Sequence, residues 1–189
     1  MKDRTFNISG FREIVEEIKQ ANKGLRAEAI GRLLSFDGLI RHYKNKDTRR
    51  SVFAASQAFE YPHEYHTAKK LAAVNYDVVL VPEGYFTRYQ KKFDVFLARD
   101  YVLLEADLKC ITTVSARTLA KRIKEGSEQA SRVVLDITSP IQKNILIDGL
   151  KEGCERNEQL VEVMLFYNSK FYRFPKDEVL SKNVWKIFK

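Results

Sequence analysis

Tyr101-Val102-Leu103-Leu104-Glu105-Ala106-Asp107-Leu108-Lys109-Cys110-Ile111 decides how this chain folds, because it alternates as a strand does and yet carries three charges. Successive side chains of a strand point to opposite sides of a sheet, so Glu105, Asp107 and Lys109 share one face and Leu104, Ala106, Leu108 and Cys110 the other. Apolar residues lead in at Val102 and out at Ile111, which is the profile of a central strand rather than a wet edge. Charges on a central strand are unfavourable unless they share a metal ion, a substrate phosphate or one another. A half-exposed antiparallel strand with a solvated face is the plainer explanation, and the neighbouring segments weigh against it.

Working outward, the strand is fed by two others. Asp77-Val78-Val79-Leu80-Val81-Pro82 is a short buried strand closed by proline, and Phe93-Asp94-Val95-Phe96-Leu97-Ala98 is a second one holding an acid; Arg99-Asp100 turns it into the strand above. The three form a meander. Before it, Pro62 suits the first turn of a helix from His63 to about Val74, in which Glu64 lies on the Ala68, Leu71, Ala72 stripe and therefore faces inward. After it, Ser115 caps a helix from Ala116 to about Arg132, with Gln129 near its end, and Val133 to Ile137 is another buried strand. Between Glu83 and Lys92, Tyr85, Phe86, Arg88, Tyr89, Lys91 and Lys92 interleave rings and cations, a pattern suited to base stacking and phosphate contact, or to a loop packed by its own aromatics.

The flanks are less specific. Phe11 to Ala21 has helical periodicity with Ser9 as cap and Gly24 as stop; a second helix runs from Leu25 through Leu34. Arg41, Lys44, Lys46, Arg49 and Arg50, opposed only by Asp47, then fall in an aperiodic basic stretch, read as a loop or frayed helix end that is either a solvated surface or a phosphate-contacting arm. Pro140 to about Cys154 is an amphipathic helix interrupted by Gly149, and the segments Leu160 to Tyr167 and Phe171 to Phe174 form a hairpin about Asn168-Ser169-Lys170. The expected division is a helical extension over 1–61, a core over 62–137 and a helix-and-hairpin extension over 138–189, packed as one unit.

The 189 residues are 44% hydrophobic, enough for a full core, and their net charge of +8 points to a polyanionic partner, nucleic acid ahead of a membrane surface. No apolar run reaches the roughly 18 residues needed to span a bilayer and no signal-peptide segment opens the chain, so the expectation is a cytoplasmic protein without a membrane role. Cys110 and Cys154 read as reduced structural thiols, and no zinc motif is present.

From Pro62 to Ile137 the order is helix, three strands, helix, strand, with acids at Glu64, Asp94 and Asp107-x-Lys109. In this the chain resembles the PD-(D/E)XK nuclease superfamily, over less than half its length. It is similar in particular to the nuclease domains of contact-dependent growth-inhibition toxins, in His63-Glu64, the Asp94 strand, Asp107-Leu108-Lys109 and Glu128-Gln129-Ala130. The resemblance implies a mixed central sheet flanked by helices, with an αβββαβ restriction-endonuclease-like core of the α+β or α/β class. It implies Glu64, Asp94, Asp107, Lys109 and Gln129 as site residues, with Glu64, Asp94 and Asp107 as metal ligands. Phe93 stands where the family has proline, and Glu105 competes for the role of ligand. An inhibitory immunity protein would be a further partner.

The chemistry agrees with the name. Hydrolysing a phosphodiester of RNA, tRNA included, or of DNA requires charge on the phosphorane-like state to be neutralised and a water made nucleophilic. Carboxylates holding Mg²⁺ or Mn²⁺ do both, and Lys109 beside them steadies charge or orients the water. Two other readings stand. One is a metal-independent ribonuclease using His63 or His66 as acid or base with Lys109 on the phosphate, against the plainer placement of both histidines on a helix surface. The other is a non-catalytic nucleic-acid-binding domain in which Asp107 and Lys109 are only an ion pair.

Overall fold

The computed structural model describes residues 6–55, 62–82, 84–87, 90–113, 115–181, 184–186 and 188. The chain is mixed α/β, with strands in mixed sheets and helices packed on them, and it divides into two compact units. The first draws on Met1–Gln90 and Asp94–Leu104, the second on Lys91–Phe93 and Glu105–Lys189. The stretch 62–137, read from sequence as one core, is thus shared between them.

In the first unit, helices α1 (Ile8–Gln20) and α2 (Lys23–Leu34) each begin on an asparagine. Asn7 Oδ1 accepts from the Gly10 N–H at 3.1 Å and Asn22 Oδ1 from the Leu25 N–H at 3.2 Å. Ser9 is therefore inside α1 rather than its cap, and Gly24 lies in the first turn of α2. Asparagine caps as well as serine does, and Asn22 starts the second helix before Gly24 can stop the first.

The basic stretch is strand in part and loop in part, Arg41 and Lys44 on a strand and Lys46, Arg49 and Arg50 in the turn that follows it. It is a hairpin of β1 (Leu39–Lys44) and β2 (Ser51–Ala55), paired antiparallel from Leu39↔Ala55 to Lys44↔Ser51 with an irregularity between Arg41 and Tyr43. The alternation is hidden because cations occupy the exposed edge strand while β2 is buried almost throughout. Helix α3 (Pro62–Ala73) then crosses over to β3 (Asp77–Leu80), parallel to β2, and β4 (Val95–Arg99) returns antiparallel to β3. α3 buries Thr67, Ala68, Leu71 and Ala72 and packs on β2 and β3. Asp94 precedes β4, its carbonyl accepting from the Val81 N–H at 2.9 Å.

β5 (Val102–Ile111) carries the chain into the second unit. There β5, α4 (Ala116–Ser127), β6 (Arg132–Ile137), α5 (Lys143–Glu155) and β7 (Glu162–Tyr167) make two successive crossovers, β5, β6 and β7 pairing parallel. β8 (Lys170–Pro175) pairs antiparallel with β7. The two-residue turn Asn168-Ser169 has φ of 49° and 61°, the left-handed pair that a tight hairpin demands. A short helix α6 (Lys176–Leu180) follows, and Val179 joins the core.

α5 is not interrupted at Gly149. It runs through Gly149 and Gly153 because those positions are where α4 comes closest. A Cβ at 149 would lie 2.7 Å from Leu119 Cβ and 2.8 Å from the Ala116 carbonyl oxygen; at 153 it would lie 2.6 Å from Ile123 Cδ1. α4 and α5 together cover Ile111, Val133, Leu135, Val163 and Leu165.

Candidate functional site

Strand parity fixes where the charges of β5 go. Asp107 is in register with Val133, Lys109 with Leu135 and Ile111 with Ile137. Ile111, Val133 and Leu135 belong to the core beneath α4 and α5, so the odd-numbered face of β5 is the helix-covered one. Asp107 is therefore fully buried, at 0% exposure, while the Lys109 side chain retains 16%. Lys109 Nζ stands 2.6 Å from Asp107 Oδ2. Two residues earlier on the same face, Glu105 is half-buried.

Two features of the α4 terminus close over the carboxylate. A Cβ at Gly126 would lie 2.9 Å from Asp107 Oδ2 and 2.8 Å from Val133 Cγ2, so the helix rests on the acid only because residue 126 has no side chain. Beyond the helix, the Gln129 N–H returns to the Gly126 carbonyl at 3.0 Å, which turns the Gln129 side chain inward. With its nitrogen facing the two oxygens, the Gln129 amide donates to Asp107 Oδ1 at 2.8 Å and to the Lys92 carbonyl at 2.6 Å. Gln129 thus ties the Lys91–Phe93 segment to the buried acid, and Lys91 Nζ adds a hydrogen bond to Gln159 Oε1. Sequence reasoning missed Gly126 and the Lys92 carbonyl. A glycine in the last turn of an amphipathic helix was the available signal for the first; nothing marks a backbone carbonyl.

Glu64, in the first turn of α3, and Asp94 are half-buried and belong to the first unit. His63 and His66 are exposed on α3, the plainer placement. Tyr85 is packed rather than presented: its ring, 8% exposed, meets Phe11, Phe86 and Phe96 edge-on with centroids 5.8, 5.0 and 5.5 Å away. Arg12 clamps its backbone, Nε donating to the Tyr85 carbonyl at 2.7 Å and Nη2 to that of Gly84 at 2.7 Å. Phe86 is half-buried, and Lys91 and Lys92 are exposed; Arg88 and Tyr89 lie outside the described residues. Nothing in spacing separates a ring that stacks on bases from one that fills a core.

A second charged group, unanticipated, occupies the other face of the β7–β8 ribbon. Glu162, 7% exposed, accepts from Arg173 Nε at 2.7 Å and Nη2 at 3.0 Å, and stands 3.4 Å from Arg132 Nε. The planar fork matches the carboxylate, and the pairing is diagonal across the ribbon. Cys110 and Cys154 are free thiols, the latter pushed up to about 12 by burial. Desolvation lowers His42 from its usual value.

Among the described residues no three of His, Cys, Asp and Glu are grouped to hold a metal ion. Lys109 Nζ stands against one oxygen of Asp107 and the Gln129 amide, so turned, against the other, and a divalent cation bound at Asp107 would take the place of one of them. Compared with models of known families, with curated proteins and with solved structures, the chain matches none. No helix is long and apolar enough to cross a membrane, among the described residues.

Proposed function

We propose that the chain is a nuclease that hydrolyses phosphodiester bonds of RNA or DNA, centred on Asp107 and Lys109. The observation that carries the reading is the placement of a wholly buried carboxylate against a lysine that still reaches solvent. A fold gains little stability from such a pair, because desolvation offsets most of its attraction. Sites that handle phosphates need both signs of charge held rigidly in a dry environment. In this reading Lys109 meets the phosphate or the developing charge, Asp107 holds the ammonium and Gln129 holds Asp107. Glu64, Asp94 and a Mg²⁺ or Mn²⁺ ion enter on the sequence order alone, with Glu105 as a further acid, and no step is drawn through the metal.

One observation favours a second reading. Asp107 has no exposed surface, which suits an ion pair that only supports the fold of a nucleic-acid-binding domain. Incubation with tRNA, single-stranded DNA and duplex DNA, in Mg²⁺, Mn²⁺ or chelator, separates the two. Metal-dependent cleavage that is lost in Asp107→Asn and Lys109→Ala, with binding retained, is the expected result. Cleavage that survives chelator and dies with His63→Ala or His66→Ala moves the assignment to a metal-independent ribonuclease. Salt-sensitive binding with no cleavage by the wild-type chain leaves the binding domain.

A further inference from the structure

The β1–β2 hairpin ends in Asn45-Lys46-Asp47-Thr48-Arg49-Arg50, and its construction is unusual for a surface turn. The turn is held from several sides. Asn45 Oδ1 accepts from the backbone N–H groups of Asp47 and Thr48 at 3.0 and 2.9 Å, and the Asn45 N–H donates to the Arg50 carbonyl at 2.8 Å. Thr48 Oγ1 donates to the Ala72 carbonyl at 2.7 Å, fastening the turn to the end of α3. Arg50 is consumed by the fold: Nε donates to Asn75 Oδ1 at 2.9 Å, and Nη1 to Asp77 Oδ2 at 2.9 Å.

The other cations are not consumed. Arg41, Lys44, Lys46 and Arg49 are exposed, and none of their side chains has a carboxylate partner among the described residues. Arg49 adopts φ of 65°, a left-handed conformation that glycine or asparagine takes with less steric conflict. A turn held in this way presents Lys44, Lys46 and Arg49 to solvent with Asp47 as the one acid among them, an excess of positive charge that a polyanion would neutralise. The tip contains no apolar residue, and a surface that docks on an anionic bilayer normally inserts some. The spread of cations over strand and turn, with a backbone that needs no ordering, matches a phosphate chain instead.

We infer that the β1–β2 hairpin is a binding site for the phosphate backbone of nucleic acid, through Lys44, Lys46 and Arg49 with Arg41 on the adjoining strand. The contact is independent of base sequence. It shares with the preceding reading the nucleic-acid partner alone, not the reaction.

The test measures binding of a fluorescein-labelled duplex DNA and a single-stranded RNA, each 20 nucleotides long, in chelator and at several salt concentrations. Lys44→Gln/Lys46→Gln/Arg49→Asn should weaken binding and make the slope of log K against log salt shallower by about 2 to 3, at 0.7 to 0.9 per phosphate contact. Lys44→Gln/Lys46→Gln alone, which leaves the turn backbone untouched, should account for about 1.4 to 1.8 of that. A control with the same charge removed from α4, Arg117→Gln/Lys121→Gln/Lys124→Gln, should keep the wild-type slope. Equal losses in the hairpin and control variants would reduce the effect to net charge and overturn the site. So would an unchanged slope in both hairpin variants, or a hairpin-dependent interaction with phosphatidylserine vesicles but not with either oligonucleotide. Hairpin-dependent binding in chelator with no cleavage in Mg²⁺ or Mn²⁺ refutes the nuclease and keeps the hairpin; cleavage with hairpin-independent binding does the reverse.

Discussion

Removing Lys109 should destabilise the protein far more than neutralising Asp107, and the difference should depend on pH in a calculable way. Lys109→Met keeps the volume of the stem but takes from the Asp107 carboxylate, which has no exposed surface, the ammonium that stands 2.6 Å from it. An unpaired buried charge costs about 3 to 5 kcal/mol, but the group has an escape: it takes up a proton. At pH 7 protonation of a carboxyl whose ordinary value is about 3.9 costs about 1.36 × 3.1, or about 4 kcal/mol, which caps the loss. At pH 5 the same product is about 1.36 × 1.1, or about 1.5 kcal/mol. In the variant the folded acid holds its proton above the unfolded value, so stability is lost as pH rises and regained as it falls. Asp107→Asn behaves otherwise. Its Oδ1 still accepts from Gln129, and Lys109, already 16% exposed, turns its ammonium to water; the expected loss is about 1 kcal/mol at both pH values. The double variant, with neither charge, should lie near Asp107→Asn, giving a coupling of about 4 kcal/mol at pH 7. Urea denaturation at pH 7 and 5 by linear extrapolation reads all four species. Equal losses from the two single variants, or a Lys109→Met penalty that does not shrink at pH 5, would refute an enclosed carboxylate whose charge Lys109 balances.

Glycine-to-alanine changes should split by position. Gly31, in α2 with nothing within 4 Å of a new Cβ, should gain about 0.5 to 1 kcal/mol, whereas Gly149→Ala, which meets the Ala116 carbonyl, should lose about 1 to 2 kcal/mol net of helix propensity in thermal or urea unfolding. The Cys154 thiol, folded value about 12 against 9.0 for the free group, should resist a thiol reagent in the native state. Because its folded value is raised, its contribution is complete below about pH 9 and is lost as pH climbs from there towards 12, so Cys154→Ala should flatten the alkaline limb of a stability profile; an unchanged limb would mean that the thiol is not enclosed.

What sequence reveals here follows from how local the cause is. The β5 alternation, the proline at the head of α3, the Ser115 cap and the Asn168-Ser169 turn are each determined within a few residues, and all appear in the structure. The hairpin of β1 and β2 escaped because its pattern is written across two strands, one showing cations to solvent and the other buried. Gly149 was misread for a related reason: a glycine that interrupts a helix and one that admits a neighbouring helix look alike until the neighbour is known. The site splits along the same line. That Asp107 and Lys109 share a face was legible from parity, but that the face lies under α4, with Gly126 against the acid and Gln129 bridging it to Lys92, depends on contacts between segments about 20 and 35 residues apart. Those contacts set the terms for any chemistry at Asp107. A substrate or cation that binds its oxygens displaces the Gln129 amide or the Lys109 ammonium, and replacing Gln129 also frees the Lys92 carbonyl. The Lys91–Phe93 segment is therefore linked to the acid through one amide, and a substrate that displaces it must supply a donor or cation of its own, because a carboxylate with neither partner would not stay ionised in that environment.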